Sequence, residues 1–309
     1  PHIDSLANSG IFFSRGYAAN ATCAPSRASI MTGRYPTRFG FEFTPVPAAG
    51  RIILNWLAKE NDSELKTRID REVATNIPPF MEQGMPSEQI TIAEVLRDAG
   101  YYTAHIGKWH LGNSNGMDPL SQGFQDSLSM VGPLYLPEDH PDIVNAKFDT
   151  NIDKMIWGIG QYSATFNKGD LFAPDKYVTD YYTDEALKVI ENNKNRPFFL
   201  YLSHWAIHNP LQALRSDVEQ MSHMEGHNLQ VYSGMIAALD RSVGEVVQKL
   251  KDLDIHGKTL IIFTSDNGGA NYIELDDINK PYRGWKISFF EGGIRVPYIV
   301  SWPDEINPG

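Results

Sequence analysis

Three apolar runs of the chain each end in a cluster of polar residues, and this pattern restricts the possible folds more than any other. The runs cover residues 101–106, 197–202 and 259–264, and the polar clusters follow at 107–110, 203–208 and 265–268. Nearly continuous apolar runs are typical of strands in a sheet that is covered on both faces. The pattern therefore predicts a buried sheet with polar side chains at its strand ends, where such sheets bind ligands.

A helical pattern precedes each of these predicted strands. Thr91 and Glu94 form a capping-box pattern at the start of a helix that should end at Gly100. Apolar residues recur with helical spacing in residues 183–193 and 235–253. The alternation of helices and buried strands predicts an α/β fold, with a large and mostly parallel sheet sandwiched by helices.

Length and charge limit the classes of function. A chain of 309 residues can bury a large core. The formal net charge of −11 argues against a general nucleic-acid binder, which would show a basic stripe. No apolar run approaches the roughly 20 residues that span a bilayer, so the sequence predicts no transmembrane segment. An anionic substrate would need a local basic pocket within this acidic chain.

The only cysteine, Cys23, precedes a helical pattern in which Pro25 suits the first turn and Gly33 a C-terminal stop. Cys23 would lie at the helix N-terminus, where free N–H groups favour negative charge, and Arg27 adds a cation one turn later. A single thiol forms no internal disulfide, and Cys23 lacks the neighbours of a zinc cluster. On these residues alone, a buried structural cysteine and a functional thiol both remain open.

The sequence Cys-Ala-Pro-Ser-Arg at residues 23–27, continued by Ala-Ser-Ile-Met-Thr-Gly-Arg, resembles the signature of the formylglycine-dependent sulfatases. These enzymes are a branch of the alkaline phosphatase superfamily. The resemblance is specific because at least four further blocks follow in the expected order. It implies an alkaline-phosphatase-like fold, with residues 1–309 as the catalytic domain. It also implies that a formylglycine-generating or maturase enzyme oxidises Cys23 to an aldehyde, whose hydrate is the nucleophile.

The same resemblance gives expectations for domain organisation and location. Sulfatases normally begin with a strand that ends in a metal-binding Asp pair, and they continue into a smaller C-terminal domain; we expect both to be missing from this sequence. Residues 41–90 and 113–175 are irregular and rich in Pro, Gly, Asn and aromatic residues, and are predicted to be loop insertions over the active site. Family members are mostly exported, and a single cysteine without disulfides fits a bacterial periplasmic or secreted protein.

Asp266 and Asn267 are the candidate metal ligands. They follow a predicted strand and offer hard oxygen donors suited to Ca²⁺ or Mg²⁺. The sequence Asp-Asn-Gly-Gly is also ordinary turn chemistry. The block Ser-Asp-Asn-Gly is similar to the metal-binding block of the sulfatases. That resemblance implies that both residues bind Ca²⁺ (or Mg²⁺) together with an oxygen of formylglycine at position 23, and that the upstream Asp pair completes the shell.

Lys108 and His110 are two residues apart in the block Gly-Lys-Trp-His-Leu-Gly, so both project from one side if the segment is extended. A solvated lysine and a structural histidine are the ordinary alternative. The block is similar to the corresponding sulfatase block. The resemblance implies that Lys108 contacts the sulfate group and that His110 contacts the formylglycine.

Two histidines compete for one role, and the family pattern places a histidine two residues before a proline. His208 fits this pattern, so it is predicted to bind the sulfate ester near the leaving oxygen, whereas His204 is predicted to be supporting or structural. The resemblance further implies that Lys286 pairs with the sulfate and helps to protonate or stabilise the leaving group. Glu291 and Arg295, in the next family block, are left outside the predicted site.

These predictions describe a sulfuric ester hydrolase. Lys108, Lys286 and the divalent cation would neutralise the ester oxygens, and Arg27 would stabilise the hydrated aldehyde. One oxygen of the hydrate would attack sulfur, and the other would then allow sulfate to leave as the aldehyde re-forms. Two alternatives remain: a phosphonate or phosphate monoester hydrolase on the same scaffold, and a catalytically inactive binding protein. The sequence does not name the alcohol half of the substrate, and a carbohydrate sulfate is our expectation from the family.

Overall fold

The computed structural model describes residues 1–45, 78–275 and 277–309. Helices are numbered over these residues as α1 (His2–Asn8), α2 (Cys23–Thr32), α3 (Ile92–Asp98), α4 (Asn151–Ile159), α5 (Val178–Asn193), α6 (Arg215–Gln220), α7 (His227–Asp252) and α8 (Glu291–Ile294). The strands are β1 (Ile11–Phe12), β2 (Tyr102–Gly107), β3 (Asp126–Met130), β4 (Ile143–Ala146), β5 (Ala164–Phe166), β6 (Leu171–Phe172), β7 (Phe198–Ser203), β8 (Leu211–Leu214), β9 (Ile261–Thr264) and β10 (Tyr298–Ser301). The predicted α/β fold is confirmed.

The central sheet is mixed, with strand order β6-β5-β3-β2-β7. Strand β2 is parallel to β3 and to β7, whereas β5 and β6 are antiparallel additions. Parallel pairing needs a long crossover, which α5 supplies before β7, but the few residues between β5 and β6 allow only an antiparallel pair. Parallel pairing is therefore confined to β3, β2 and β7, at one side of the sheet.

The register of β2 and β7 brings two of the predicted polar clusters side by side. Gly107 pairs with Ser203 at the ends of these strands. A Cβ atom on Gly107 would lie 2.1 Å from the Ser203 carbonyl oxygen, and its φ of +108° also favours glycine. The Lys108 N–H then donates to the same Ser203 carbonyl at 2.8 Å. This close approach fixes where Lys108 leaves the sheet.

The third predicted strand, β9, lies in a different sheet from β2 and β7. It pairs antiparallel with β10, and β10 pairs with β1. Four residue pairs, from Tyr298 with Thr264 to Ser301 with Ile261, fix the β9–β10 register. An apolar run predicts a buried strand but does not specify its neighbour, which is why the sequence did not separate the two sheets.

Residues 113–175, predicted to be a loop insertion, contain β3, β4, β5, β6 and α4 in the structure. Strand β3 has the sequence Asp-Ser-Leu-Ser-Met and lacks the apolar run by which the other central strands were found. Its Ser127 Oγ lies 2.9 Å from the buried His105 Nδ1, so a polar contact joins this strand to β2, while Leu128 supplies its buried apolar side chain. Of the other predicted insertion, 41–90, residues 46–77 lie outside the described residues.

Helices pack around the central sheet in two apolar clusters. The larger cluster joins β2 and β3 to α5 and α7, and its fully buried side chains include Tyr135, Tyr182 and Met235. The smaller cluster packs Ala24, Ala28 and Met31 of α2, which begins at Cys23, against the segment after β2. The predicted capping box of α3 is confirmed by hydrogen bonds in both directions between its N-cap and third residue. In the described part of the chain, no helix is long and apolar enough to cross a membrane.

His105 is a fully buried titratable group at the centre of β2. Its ring packs against Trp109, Phe124 and Tyr201, with ring centroids 5.5 to 5.9 Å away. Burial is the main cause that lowers the pKa of His105 to about 3. An unfolded chain regains a pKa near 6.5, so the unfolded state binds a proton that the folded state excludes.

We therefore expect the free energy of unfolding to decrease as pH falls from about 6.5 towards 4, by about 1.4 kcal/mol per pH unit for His105 alone below about pH 5.5. In His105→Phe, which suits the aromatic surroundings, this part of the slope should disappear. Urea unfolding at several pH values measures it. If the variant kept the wild-type slope, His105 would not be excluding the proton.

Candidate active site

Cys23 is the first residue of α2 and is 4% exposed. The preceding residue is extended, and Gly33 ends the helix in the left-handed region, at φ +64°, as the sequence predicts. Packing of α2 against the smaller apolar cluster fixes the direction in which the Cys23 side chain points.

Two ammonium groups and two imidazoles surround the Cys23 thiol. Lys108 and Lys286 are buried, and His110 and His208 interact with the thiol. Burial alone would raise the pKa of Cys23, but the charges of the two lysines and the contacts of the two histidines together hold this pKa well below its usual value. The site therefore favours negative charge at residue 23, in a chain whose overall charge is strongly negative.

His208 and Lys286 are in direct contact, with 3.0 Å between His208 Nε2 and Lys286 Nζ. His208 Nδ1 lies 2.7 Å from the Asn209 carbonyl oxygen. A carbonyl only accepts hydrogen bonds, so Nδ1 carries the proton and Nε2 accepts from the Lys286 ammonium. Burial, together with the charges of Lys286 and Lys108, lowers the pKa of His208 to about 3, so the ring is neutral.

Tyr135 and Trp205 hold the backbone and ring of His208, and neither residue is among those predicted from the sequence. The buried Tyr135 hydroxyl donates to the His208 carbonyl at 2.9 Å, and the His208 N–H donates to the Trp205 carbonyl at 3.0 Å. The ring of His208 also stacks on that of Trp205. Trp205 could have been suspected because it lies between the two competing histidines. Tyr135 carries no comparable signal, because it lies in an irregular segment.

His204 points away from Cys23. Its Nε2 lies 2.9 Å from Ser242 Oγ on α7, and the same hydroxyl accepts a hydrogen bond from Thr183 on α5. Burial lowers the pKa of His204 to about 4. The structure thus brings His208, and not His204, to the thiol, and His204 joins the strand end to the two long helices.

Lys108 is anchored through its backbone, which leaves its side chain to face the site. The Ser203 hydroxyl donates to the Lys108 carbonyl at 2.7 Å. Burial lowers the pKa of Lys108 to about 8. Two residues later, His110 adopts a left-handed φ of +66°, and burial lowers its pKa to about 4. The Nδ1 atom of His110 is buried without a hydrogen-bond partner among the described residues.

Arg27 connects three segments that are far apart in the sequence. From α2, its Nε donates to Asp266 Oδ2 at 2.7 Å, and its Nη1 donates to the Lys108 carbonyl at 2.9 Å. The Arg27 side chain is 9% exposed and that of Asp266 is 18% exposed. One guanidinium group therefore holds the start of α2, the end of β2 and the end of β9 together.

Asp266 and Asn267 present oxygen atoms that suit a hard cation. Asn267 donates through Nδ2 to the Gly268 carbonyl at 2.8 Å, while its Oδ1 is buried and has no partner within the described residues. A Cβ on Gly268 would lie 1.9 Å from the Gly292 carbonyl oxygen, so the turn packs directly against the backbone of α8. An unpartnered buried oxygen next to a carboxylate fits Ca²⁺ or Mg²⁺.

These two residues supply only part of a coordination shell. Across residues 1–45, 78–275 and 277–309, no group of three or more His, Cys, Asp or Glu side chains could hold a metal ion. Cation binding as strong as that of a complete site would therefore require further oxygen ligands.

Glu291 and Arg295 form a network away from the thiol. The Arg295 guanidinium donates to Glu291 at 3.0 Å, and the Tyr17 hydroxyl donates to the same carboxylate at 2.9 Å. Arg295 also lies over the ring of Tyr282. The structure thus gives both family-block residues contacts that tie the segment after β1 to α8.

Comparison with known proteins shows the family to which the chain belongs. The family model Sulfatase matches residues 1–308. The chain belongs to the sulfatase family. N-acetylgalactosamine-6-sulfatase of Canis lupus familiaris is 31% identical over 313 residues, which cover 100% of this chain and 53% of that relative. Arylsulfatase of Hemicentrotus pulcherrimus is 32% identical over 313 residues, which cover 99% of this chain and 50% of that relative.

The fold is also that of a solved sulfatase, PsFucS1 from Pseudoalteromonas sp., which matches with a TM-score of 0.68 at 26% sequence identity, over 99% of this chain and 57% of that chain. The crystal structure of Ps i-CgsB in complex with k-i-k-neocarrahexaose matches with a TM-score of 0.77 at 30% sequence identity, over 100% of this chain and 61% of that chain. The chain spans about half the length of the curated relatives described above. The predicted sulfatase resemblance and the α/β fold are therefore confirmed.

We expect Arg27→Met to lower the free energy of unfolding by about 3 kcal/mol, because the variant leaves the largely buried Asp266 carboxylate without its guanidinium partner and removes one of the two donors to the Lys108 carbonyl. The matched control is Arg97→Met. Arg97 pairs with Asp98 at 3.0 Å, but both side chains are exposed, so the loss should be at most about 1 kcal/mol. Urea unfolding of both variants measures the difference, and equal losses would contradict a structural role for the Arg27 pair.

Proposed function

We propose that the protein hydrolyses a sulfate monoester at Cys23. The observation that carries this proposal is the pair of buried ammonium groups, Lys108 and Lys286, that face Cys23 within an acidic chain. Buried cations without a resident anion are unfavourable, so their burial side by side suits a site that binds an anionic group. Family membership supports a sulfate ester as that anion.

The roles of the chain's own residues follow from their contacts. Lys108 and Lys286 would neutralise the sulfate oxygens and favour negative charge in the transition state. Since His208 holds Lys286 through Nε2, these two groups can place a proton at the oxygen of the departing alcohol. Arg27 is proposed to stabilise charge at residue 23, and His110 to contact that residue.

Two groups that the family implies would complete the site. Formylglycine formed from Cys23 supplies a hydrated aldehyde as the nucleophile and as the means of releasing sulfate. Asp266 and Asn267, with an oxygen of residue 23, would hold Ca²⁺ or Mg²⁺, whose charge neutralises the ester further. The unpartnered Oδ1 of Asn267 is the observation that supports this ligand set.

The proposed substrate class is a carbohydrate sulfate. Relatives named N-acetylgalactosamine-6-sulfatase, and the Ps i-CgsB complex with an oligosaccharide, support this choice. We further propose that a formylglycine-generating or maturase enzyme modifies Cys23. The protein is proposed to be periplasmic or secreted, which the single cysteine supports.

A phosphonate or phosphate monoester hydrolase is the second candidate function, because the same two lysines would also bind that tetrahedral anion. An inactive binding protein is the third. Turnover of an aryl sulfate, compared with turnover of the matching aryl phosphonate, separates the first two. Absence of turnover by protein with a confirmed aldehyde at position 23 favours the third.

We expect Cys23→Ala to remove turnover of aryl sulfate without unfolding the protein, because the residue supplies the nucleophile but little apolar contact. Cys23→Ser should form a sulfated enzyme that does not turn over, since a single hydroxyl cannot re-form an aldehyde. Steady-state assays and intact-protein mass spectrometry measure these results. The control is Ser9→Ala, a serine at the end of α1. Wild-type turnover in either Cys23 variant would overturn the formylglycine mechanism.

Ca²⁺ or Mg²⁺ should raise the melting temperature of the metal-free protein more than Zn²⁺ does, because the proposed ligands are hard oxygens. Asn267→Ala should reduce this shift, whereas Asp277→Asn should retain it, because Asp277 is an exposed acid paired with Lys280. Calorimetric titration with each cation gives the affinities. Equal affinity in the wild type and Asn267→Ala would exclude Asn267 as a ligand.

A further inference from the structure

We propose that Trp205 is a positioning residue that sets the places of Lys108 and His208 together, an inference that rests on the proposed sulfatase function. These two side chains come from different strand ends, and each contacts the indole ring of Trp205. The ring centroids of Trp205 and His208 are 4.0 Å apart with 25° between their planes. Lys108 Nζ lies 4.5 Å from the Trp205 ring centroid.

The indole ring is itself fixed by its surroundings. Trp205 is 8% exposed and belongs to the larger apolar cluster. Its Nε1–H donates to the Pro133 carbonyl at 2.8 Å, which sets the rotation of the ring. Its own carbonyl accepts from the His208 N–H at 3.0 Å. Since Pro133 and the apolar cluster hold the indole, its position does not depend on Lys108 or on the His208 ring.

The contacts of Trp205 complement charges that would otherwise repel. Lys108, Arg27 and Lys286 are all cationic and buried around Cys23, and Lys286 donates to His208. An aromatic face attracts a cation and adds no charge of its own, so it holds the Lys108 ammonium without neutralising it. A carboxylate in the same place would pair with Lys108 and weaken its attraction for an anionic substrate.

The same ring acts on the leaving-group side of the site. Stacking fixes the plane of His208, and Asn209 fixes its tautomer, so the Lys286–His208 contact keeps one geometry. Misplacement of a reacting group by about 1 Å can cost about 100-fold in rate. Loss of the indole should therefore weaken both the neutralisation of the sulfate charge by Lys108 and the donation of a proton to the departing alcohol by the Lys286–His208 pair.

The experiment compares Trp205→Phe and Trp205→Leu in the full-length matured enzyme. Phenylalanine keeps an aromatic face but loses the hydrogen bond to Pro133, and leucine loses both. The matched control is Trp157→Leu, since Trp157 on α4 has Lys147 4.7 Å from its ring, outside the site. The substrates are 4-nitrophenyl sulfate and phenyl sulfate. The phenolate leaving group is the more basic of the two and depends more on a donated proton.

We expect Trp205→Leu to lower kcat for 4-nitrophenyl sulfate about 100-fold. The loss for phenyl sulfate should be about tenfold larger, because the proton donor is misplaced as well. Trp205→Phe should recover most of the rate on both substrates. The control variant should keep wild-type kcat and the wild-type ratio between the two substrates, although its stability falls.

Binding of inorganic sulfate to the same proteins, measured by calorimetry, tests the Lys108 contact without turnover. Its dissociation constant should rise about tenfold in Trp205→Leu and stay unchanged in Trp157→Leu, with Trp205→Phe between them. A matured wild-type protein that binds sulfate but turns over neither aryl ester nor a carbohydrate sulfate would refute the proposed function alone. Equal effects of Trp205→Leu and Trp157→Leu on sulfate binding would overturn the role of Trp205. Equal losses of kcat and of sulfate affinity in Trp205→Leu and Trp205→Phe would also overturn it.

Discussion

The contact of Arg27 with Asp266 and with the Lys108 carbonyl joins three of the segments from which the site is made. Each of these segments follows or begins a different element, and no other contact described above reaches all three. A rigid, always charged guanidinium group suits this task because its donors point in fixed directions. The position of Cys23 relative to the candidate metal ligands therefore depends on one side chain that is nearly buried.

Around this connection, the site concentrates positive charge in a chain with an excess of acidic residues. Lys108 and Lys286 help to hold the pKa of the Cys23 thiol low, and His208 stays neutral in contact with Lys286. Such a group of cations is stable only if backbone, aromatic and sheet contacts hold it in place. The Gly107–Ser203 approach, the Tyr135 hydroxyl and the Trp205 ring are those contacts. The fold thus holds the cations in place for an anion before any ligand binds, so the site is preorganised.

The site also explains why two neighbouring histidines differ. His204 is drawn into a hydrogen-bond chain with Ser242 and Thr183 on the long helices. His208, four residues later, is held by backbone groups on both sides, so that its Nε2 faces Lys286. Both rings have lowered pKa values because of burial. Burial alone therefore does not mark the residue at the thiol; the direction of the hydrogen bonds does.

The sequence by itself determined the local features: the α2 boundaries around Cys23, the α3 capping box, the apolar strands, and the ordered motifs that identified the family. These depend on neighbouring residues, whose spacing can be read directly. Only the tertiary structure decided that β9 pairs with β10, that β3 is a polar strand of the central sheet, and that Tyr135 and Trp205 support His208. Such contacts join residues that are far apart in the sequence, 239 positions in the Arg27–Asp266 pair, and local spacing carries no information about which distant side chain completes them.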